Sequence, residues 1–196
     1  MASISTRVLA SGDKIPVFGL GTWKSQPGQV RSAVKHAITV GYRHIDAAAT
    51  YFNENEVGEG IKDALKENPN IKREDLFIVS KLPITDYDPK YVEQSCKQSL
   101  SDLGLEYLDL YLMHGPVAWK NNGKTGPAKW ARNADGSFPL DDDFNPTKTW
   151  LAMEDLVKKG LVRNIGVSSC NSKQIENIVN TGNVRKSNSS NSTPST

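Results

Sequence analysis

Apolar residues recur along the chain in two rhythms. Short continuous runs, Val17–Leu20, His44–Asp46, Leu76–Lys81, Leu108–Met113 and Val162–Val167, predict buried strands. Between them the period lengthens. Val30, Ala33, Val34, Ala37 and Ile38 fall at i, i+3, i+4, i+7 and i+8, one face of a helix that Gly41 stops. Val57, Ile61, Ala64 and Leu65 mark a second helix, ended by Asn68-Pro69-Asn70. Val92, Cys96, Leu100 and Leu103 mark a third, over Pro89–Leu103. A fourth opens at Asn145-Pro146, a good N-cap with proline at the first helical position, and stops at Gly160. A fifth begins near Ser172, with Ile175, Ile178 and Val179 on one side. Ahead of all this, a Ser-Gly-Asp turn between Val8-Leu9 and Ile15 predicts a hairpin.

The alternation repeats five times, at roughly 30 residues per unit, before a long polar segment from His114 to Asn145 interrupts it. Strand and helix in turn predict a parallel sheet with crossover helices, and short apolar strands suit a sheet covered on both faces. Both an open doubly wound sheet and a (β/α)8 barrel fit this pattern.

Composition narrows the function classes. The 196 residues carry a net charge of +2, too little to argue for nucleic acid or a membrane surface as partner. Cys96 and Cys170 form no CxxC pair and read as reduced thiols. MASISTRVLA lacks the apolar core of a signal peptide, and no apolar run approaches the roughly 20 residues of a membrane span. A cytoplasmic location is therefore expected. Mean hydropathy is −0.49, and the tail contributes to it. Residues 183–196, NVRKSNSSNSTPST, hold one apolar residue, Val184, and are expected to be disordered. Asn188 and Asn191 stand in N-x-S/T sequons, read as chance matches in a Ser/Asn-rich tail.

The candidate chemistry lies at the ends of the predicted strands. Asp46 closes HID, Tyr51 follows on the turn, Lys81 closes LFIVSK and His114 follows LDLYLM. Each has an ordinary reading. A strand-end lysine snorkels to solvent, a loop tyrosine is an aromatic like any other, and a core histidine is satisfied by a backbone carbonyl. Together they suggest more, because active groups of a barrel gather at the carboxyl ends of its strands. An ammonium paired with a carboxylate would favour ionisation of a neighbouring phenol, and an imidazole would orient a substrate oxygen or relay a proton. Such a group can protonate a carbonyl but holds no hydride, so a nicotinamide cofactor is required. Gly19-x-Gly21 followed by Asp46 looks superficially like a dinucleotide fingerprint. Trp23 and Lys24 stand where small residues are needed, so that reading is set aside. No His/Cys/Asp spacing matches a metal site, and no Gly-x-Ser-x-Gly or Walker sequence occurs.

Four segments resemble the aldo-keto reductases, most closely the aldehyde and aldose reductase group: GLGTW (Gly19–Trp23), GYRHIDAAATYFNENEVGEGIK (Gly41–Lys62), LSDLGLEYLDLYLMH (Leu100–His114) and WLAMEDLVKKGLVRNIGVSS (Trp150–Ser169). The likeness runs from about Val8 to Val179. It implies an NADPH-dependent oxidoreductase that reduces aldehydes and ketones to alcohols. It also implies an incomplete (β/α)8 TIM-type barrel over residues 1–182, with five β/α units behind an N-terminal hairpin. Tyr51 is then the general acid. Lys81 and Asp46 favour the phenolate, and His114 orients the carbonyl. Gly21, Thr22, Asp46, Ser168 and Ser169 lie at the nicotinamide end, Trp23 lines the substrate pocket, and Pro116–Asn145 is a mobile substrate loop.

Three positions depart from the family pattern. Pro83 and Gly115 stand where tryptophans are usual, and Ser169 replaces an amide expected to hold the cofactor carboxamide. Strands six to eight, with the adenosine 2'-phosphate site, have no counterpart, so the resemblance implies a C-terminally truncated product. Such a chain is expected to be a monomer when complete and to self-associate through open edges when not. The alternative function is a catalytically impaired fragment acting as a binding or regulatory module.

Overall fold

A computed structural model describes residues 4–181. The predicted tail, 183–196, and both sequons lie outside the described residues. The N-terminal hairpin pairs β1 (Thr6–Val8) antiparallel with β2 (Lys14–Pro16). A five-stranded sheet follows, of β3 (Leu20–Gly21), β4 (His44–Asp46), β5 (Phe77–Leu82), β6 (Leu108–Met113) and β7 (Val162–Val167). The helices are α1 (Val30–Thr39), α2 (Glu54–Glu67), α3 (Pro89–Leu103), α4 (Pro146–Lys158) and α5 (Ser172–Thr181).

All five sheet strands run parallel, and their order in space is their order in the chain. A doubly wound sheet reverses direction at a switch point; here none occurs, which is barrel topology. The described residues therefore make five consecutive units of a TIM-type barrel.

Register decides which side chains face inward. Asp46 pairs with Val79, Lys81 with Leu112, and Leu112 with Gly166, so Asp46, Lys81, Leu112 and Gly166 share the inner face. Ile45, Ile78 and Tyr111 point the other way and are fully buried against the helices, with Val57, Ile61, Cys96, Leu103 and Met153 in the same core. The approach of α2 to its neighbours depends on missing side chains. A Cβ on Gly58 would lie 2.4 Å from the Leu103 carbonyl oxygen, and one on Gly60 would lie 2.6 Å from that of Arg31.

Several expectations need correction. The first sheet strand is Leu20–Gly21, not Val17–Leu20. Phe18 is 78% exposed, and Gly19 packs so close to the His44 ring that a Cβ there would lie 2.7 Å from it. β5 continues one residue past Lys81, to Leu82. Ala33 is exposed and Leu65 half-buried, because α1 and α2 bury narrower stripes than the pattern implied. On α5 Ile178 is buried, whereas Ile175 and Val179 are 41% and 36% exposed. The fourth helix starts as read, with the Asn145 side chain accepting from the Thr147 N–H at 3.0 Å.

The segment after β6 is structured rather than a bare loop. Trp119 bridges to Leu140 and stacks with Trp130 and Phe138, a 3-10 helix spans Gly126–Trp130, and Lys129 reaches the buried Asp86 at 2.6 Å. Among the described residues, no helix is long and apolar enough to cross a membrane.

Candidate active site

A tight turn and hydrogen bonds between neighbouring strand ends bring the predicted groups together. β4 ends at Asp46, and its carbonyl accepts from both the N–H and the hydroxyl of Thr22, each at 3.1 Å. That ties the end of β3 to the end of β4. The chain then makes a 3-10 turn, Ala49–Tyr51, and passes through Phe52 at φ 55° before entering α2. Asn53 holds this corner by donating to the Thr22 carbonyl at 2.9 Å. On the other side, His114 N–H bonds the Leu82 carbonyl and Ser168 N–H bonds that of Met113. Each strand end is thus pinned to its neighbour.

Lys81 is the hub. Its ammonium forms an ion pair with Asp46 and donates to the Ala47 carbonyl at 3.0 Å and to the Tyr51 hydroxyl at 3.3 Å. Its side chain is 6% exposed, whereas that of Asp46 is 41% exposed. The pair therefore has one buried and one wet end. It avoids the full desolvation cost of a buried pair yet keeps the ammonium aimed at the phenol.

His114 packs edge-on to Tyr51, with ring centroids 5.6 Å apart, and its Nδ1 lies 3.1 Å from the Thr50 hydroxyl. Burial pushes its pKa down to about 4; the Lys81 charge adds to this, and Asp46 opposes it. The imidazole is neutral at physiological pH.

Trp23 stands 65% exposed at the rim, 6.4 Å from Tyr51 between ring centroids. Gly21 is exposed beside it, with open space where a Cβ would stand. Ser168 and Ser169 follow directly after β7, their hydroxyls 3.3 Å apart, and Ser169 holds φ 59°. The structure thus joins Asp46, Tyr51, Lys81 and His114 in one contact network and sets Gly21 and Trp23 along its rim, while Thr22 between them is buried with its hydroxyl on the Asp46 carbonyl. The serine pair lies past the end of the strand beside β6. Gly115 is buried, and the Tyr87 hydroxyl both donates to its carbonyl and accepts from its N–H, at 2.8 Å each.

A cavity of about 710 Å3 lies beside this network rather than on it. It is bounded by Thr50, Pro83, Gln98, Asn121 and Trp130. Thr50 separates it from His114. Two features went unread in the sequence. The first is Thr50 as partner of His114, for which nothing in the pattern gave a signal. The second is the buried carboxylate of Glu54, which accepts from Ser80 at 2.6 Å and from Ser99 at 2.9 Å. A serine inside the apolar strand LFIVSKL, and another on the apolar stripe of α3, were the signals available.

A parallel β/α barrel sheet with an ammonium, carboxylate, phenol and imidazole at its strand ends defines a barrel protein with a polar site at the usual mouth. Comparison with known proteins gives the family. The model of the aldo/keto reductase family matches residues 17–193, and the chain belongs to that family. It is 46% identical over 181 residues to mouse aldo-keto reductase family 1 member A1, covering 92% of this chain and 54% of that protein. Against the human protein of the same name it is 48% identical over 178 residues, covering 91% and 53%. The solved aldose reductase from Schistosoma japonicum superposes with a TM-score of 0.83 at 43% identity, covering 94% of this chain and 58% of that one. The chain thus spans about half the length of the curated relatives it matches.

Proposed function

We propose that the site reduces aldehydes and ketones to alcohols with NADPH, and that Tyr51 is the proton donor. The observation that carries this reading is the buried Lys81 ammonium, held by Asp46 and the Ala47 carbonyl within 3.3 Å of the Tyr51 hydroxyl. Membership of the aldo/keto reductase family supports it.

Tyr51 gives its proton to the carbonyl oxygen as that oxygen becomes an alkoxide. The phenolate left behind is met by the ammonium, in a partly dry setting where charges interact more strongly than in water. Solvent then returns a proton to Tyr51. Neutral His114 orients the carbonyl. With the Thr50 hydroxyl donating to Nδ1, the Nε2–H is free to donate to the substrate oxygen. Asp46 keeps the lysine charged and aimed.

The nicotinamide, when bound, supplies the hydride. The residues present fit its carboxamide end. The Ser168 and Ser169 hydroxyls both give and take hydrogen bonds, as an amide requires. The open space at Gly21 leaves the rim clear for a flat ring. The two free cysteines support a reducing, cytoplasmic setting, and the partner is a small carbonyl compound.

The test is NADPH oxidation with benzaldehyde. Tyr51→Phe is expected to lower kcat by at least about 100-fold, the span of a lost general acid. Unchanged turnover in Tyr51→Phe, or none in the parent chain, would reject the proposal.

A further inference from the structure

We propose that Glu54 is a positioning residue, which clamps the turn carrying Tyr51 onto β5 and so fixes the contact between Tyr51 and Lys81. This rests on the reductase reading only for its catalytic consequence.

The geometry is a grip on two faces of one strand. Ser80 and Lys81 are consecutive in β5 and therefore point to opposite sides. On the inner side Lys81 reaches Tyr51. On the outer side Ser80 donates to Glu54 Oε1 at 2.6 Å. Tyr51 and Glu54 stand at the two ends of one four-residue corner, so a single short segment holds β5 from both faces. The Ser99 hydroxyl, from α3, donates to Glu54 Oε2 at 2.9 Å and fixes the outer end to a second element. Glu54 is 4% exposed and opens α2, where a carboxylate is favoured by the helix dipole. A buried carboxylate with two hydroxyl donors and, among the described residues, no ion-pair contact is a costly way to start a helix. Anchoring the corner accounts for that cost.

The clamp also has a charge that changes near neutrality. Burial pushes the Glu54 pKa up to about 7; the Ser80 and Ser99 hydroxyls and the Lys81 charge lower it, and Asp102 raises it. Facing it from α3 and β6 are Cys96 and Tyr111, whose neutral forms its charge favours. His114 titrates far lower, near 4, so the two events are separable.

The test uses the full chain labelled with carbon-13 at tyrosine Cζ, the Tyr51 signal being assigned by its loss in Tyr51→Phe. The Tyr51 signal is expected to move with a midpoint near pH 7, and this step is expected to vanish in Glu54→Gln. Glutamine can still accept from one serine and donate to the other, so Glu54→Gln keeps the grip without the charge. Glu54→Ala loses both and is expected to displace the Tyr51 signal at every pH. Where Glu54→Ala does not fold, Ser80→Ala carries the same expectation. A Tyr51 signal blind to these folded variants would overturn the proposal.

In the benzaldehyde assay, Glu54→Ala is expected to lower kcat by about tenfold or more at nearly constant KM, with Glu54→Gln within about threefold of the parent. A rise in KM alone would count against positioning. No turnover in the parent chain would sink the reductase reading while leaving the Tyr51 signal to decide the clamp.

Discussion

At the residue scale, one buried group and one half-buried group carry opposite pH signatures. Glu54 is held at about 7 against an ordinary 4.5. Between those values the folded chain keeps a proton that the unfolded chain has released. Stability therefore falls as pH rises through that window, by about 3 kcal/mol in all, and is level above it. His114 is lowered from 6.5 to about 4. There the unfolded chain takes the proton, so stability falls as pH drops through that window. The slopes oppose each other between about pH 4.5 and 6.5. Glu54→Gln removes one of them, so its melting temperature is expected to fall more steeply on acidification than that of the parent. Parallel curves would contradict the assignment.

The sequence made the strand-end groups legible because each interrupts an apolar run with a charge or an imidazole. Asp46, Lys81 and His114 stand out for that reason. Glu54 did not, because an acidic residue in a first helical turn has an ordinary explanation in the helix dipole. Its burial depends on Ser80 and Ser99, 26 and 45 residues away. Only the packing of α2 and α3 on β5 shows that.

At the element scale, α2 is the part whose placement matters most, since it begins where the Tyr51 corner ends. Gly58 lets it approach α3. A methyl there would meet the Leu103 carbonyl at 2.4 Å, and backbone cannot yield as a side chain does. Gly58→Ala is expected to destabilise the chain by about 1–3 kcal/mol, read as a lower urea midpoint. No shift would show that the α2–α3 contact is looser than described. The segment after β6 offers a second check. Lys129→Met leaves Asp86, buried with Ser95 and Asn121, without its cation. Faster limited proteolysis within residues 121–130 is expected; unchanged cleavage would mean the ion pair does not hold the segment. Among the described residues, helix periods located α1, α2, α3 and α5, yet the stripes they mark on α1 and α5 are wider than the faces those helices bury. Periodicity reports which residues share a side, not how much of that side a neighbour covers. The short first strand failed for a related reason: Val17-Phe18 is apolar but continues the hairpin, the Val17 N–H on the Ser5 carbonyl and Phe18 in solvent.

At the scale of the whole molecule, strand–helix alternation made the α/β class legible, while the sequential strand order came from the structure. That order brings Asp46, Lys81 and His114 from three consecutive strand ends to one mouth. Among the described residues, β3 and β7 each pair with one sheet strand, and inner-face Leu110 and Leu112 are only half-buried. The proposed chemistry therefore sits on a sheet whose inner face is partly open.

Hydride transfer itself is the most direct measure. NADPH deuterated on its reactive carbon, mixed with excess chain and benzaldehyde, is expected to give benzyl alcohol carrying deuterium on the carbinol carbon. The yield in Tyr51→Phe should be at least about 100-fold lower. Unlabelled aldehyde recovered from the parent chain, or equal labelling by both proteins, would contradict a Tyr51 proton donor on this barrel.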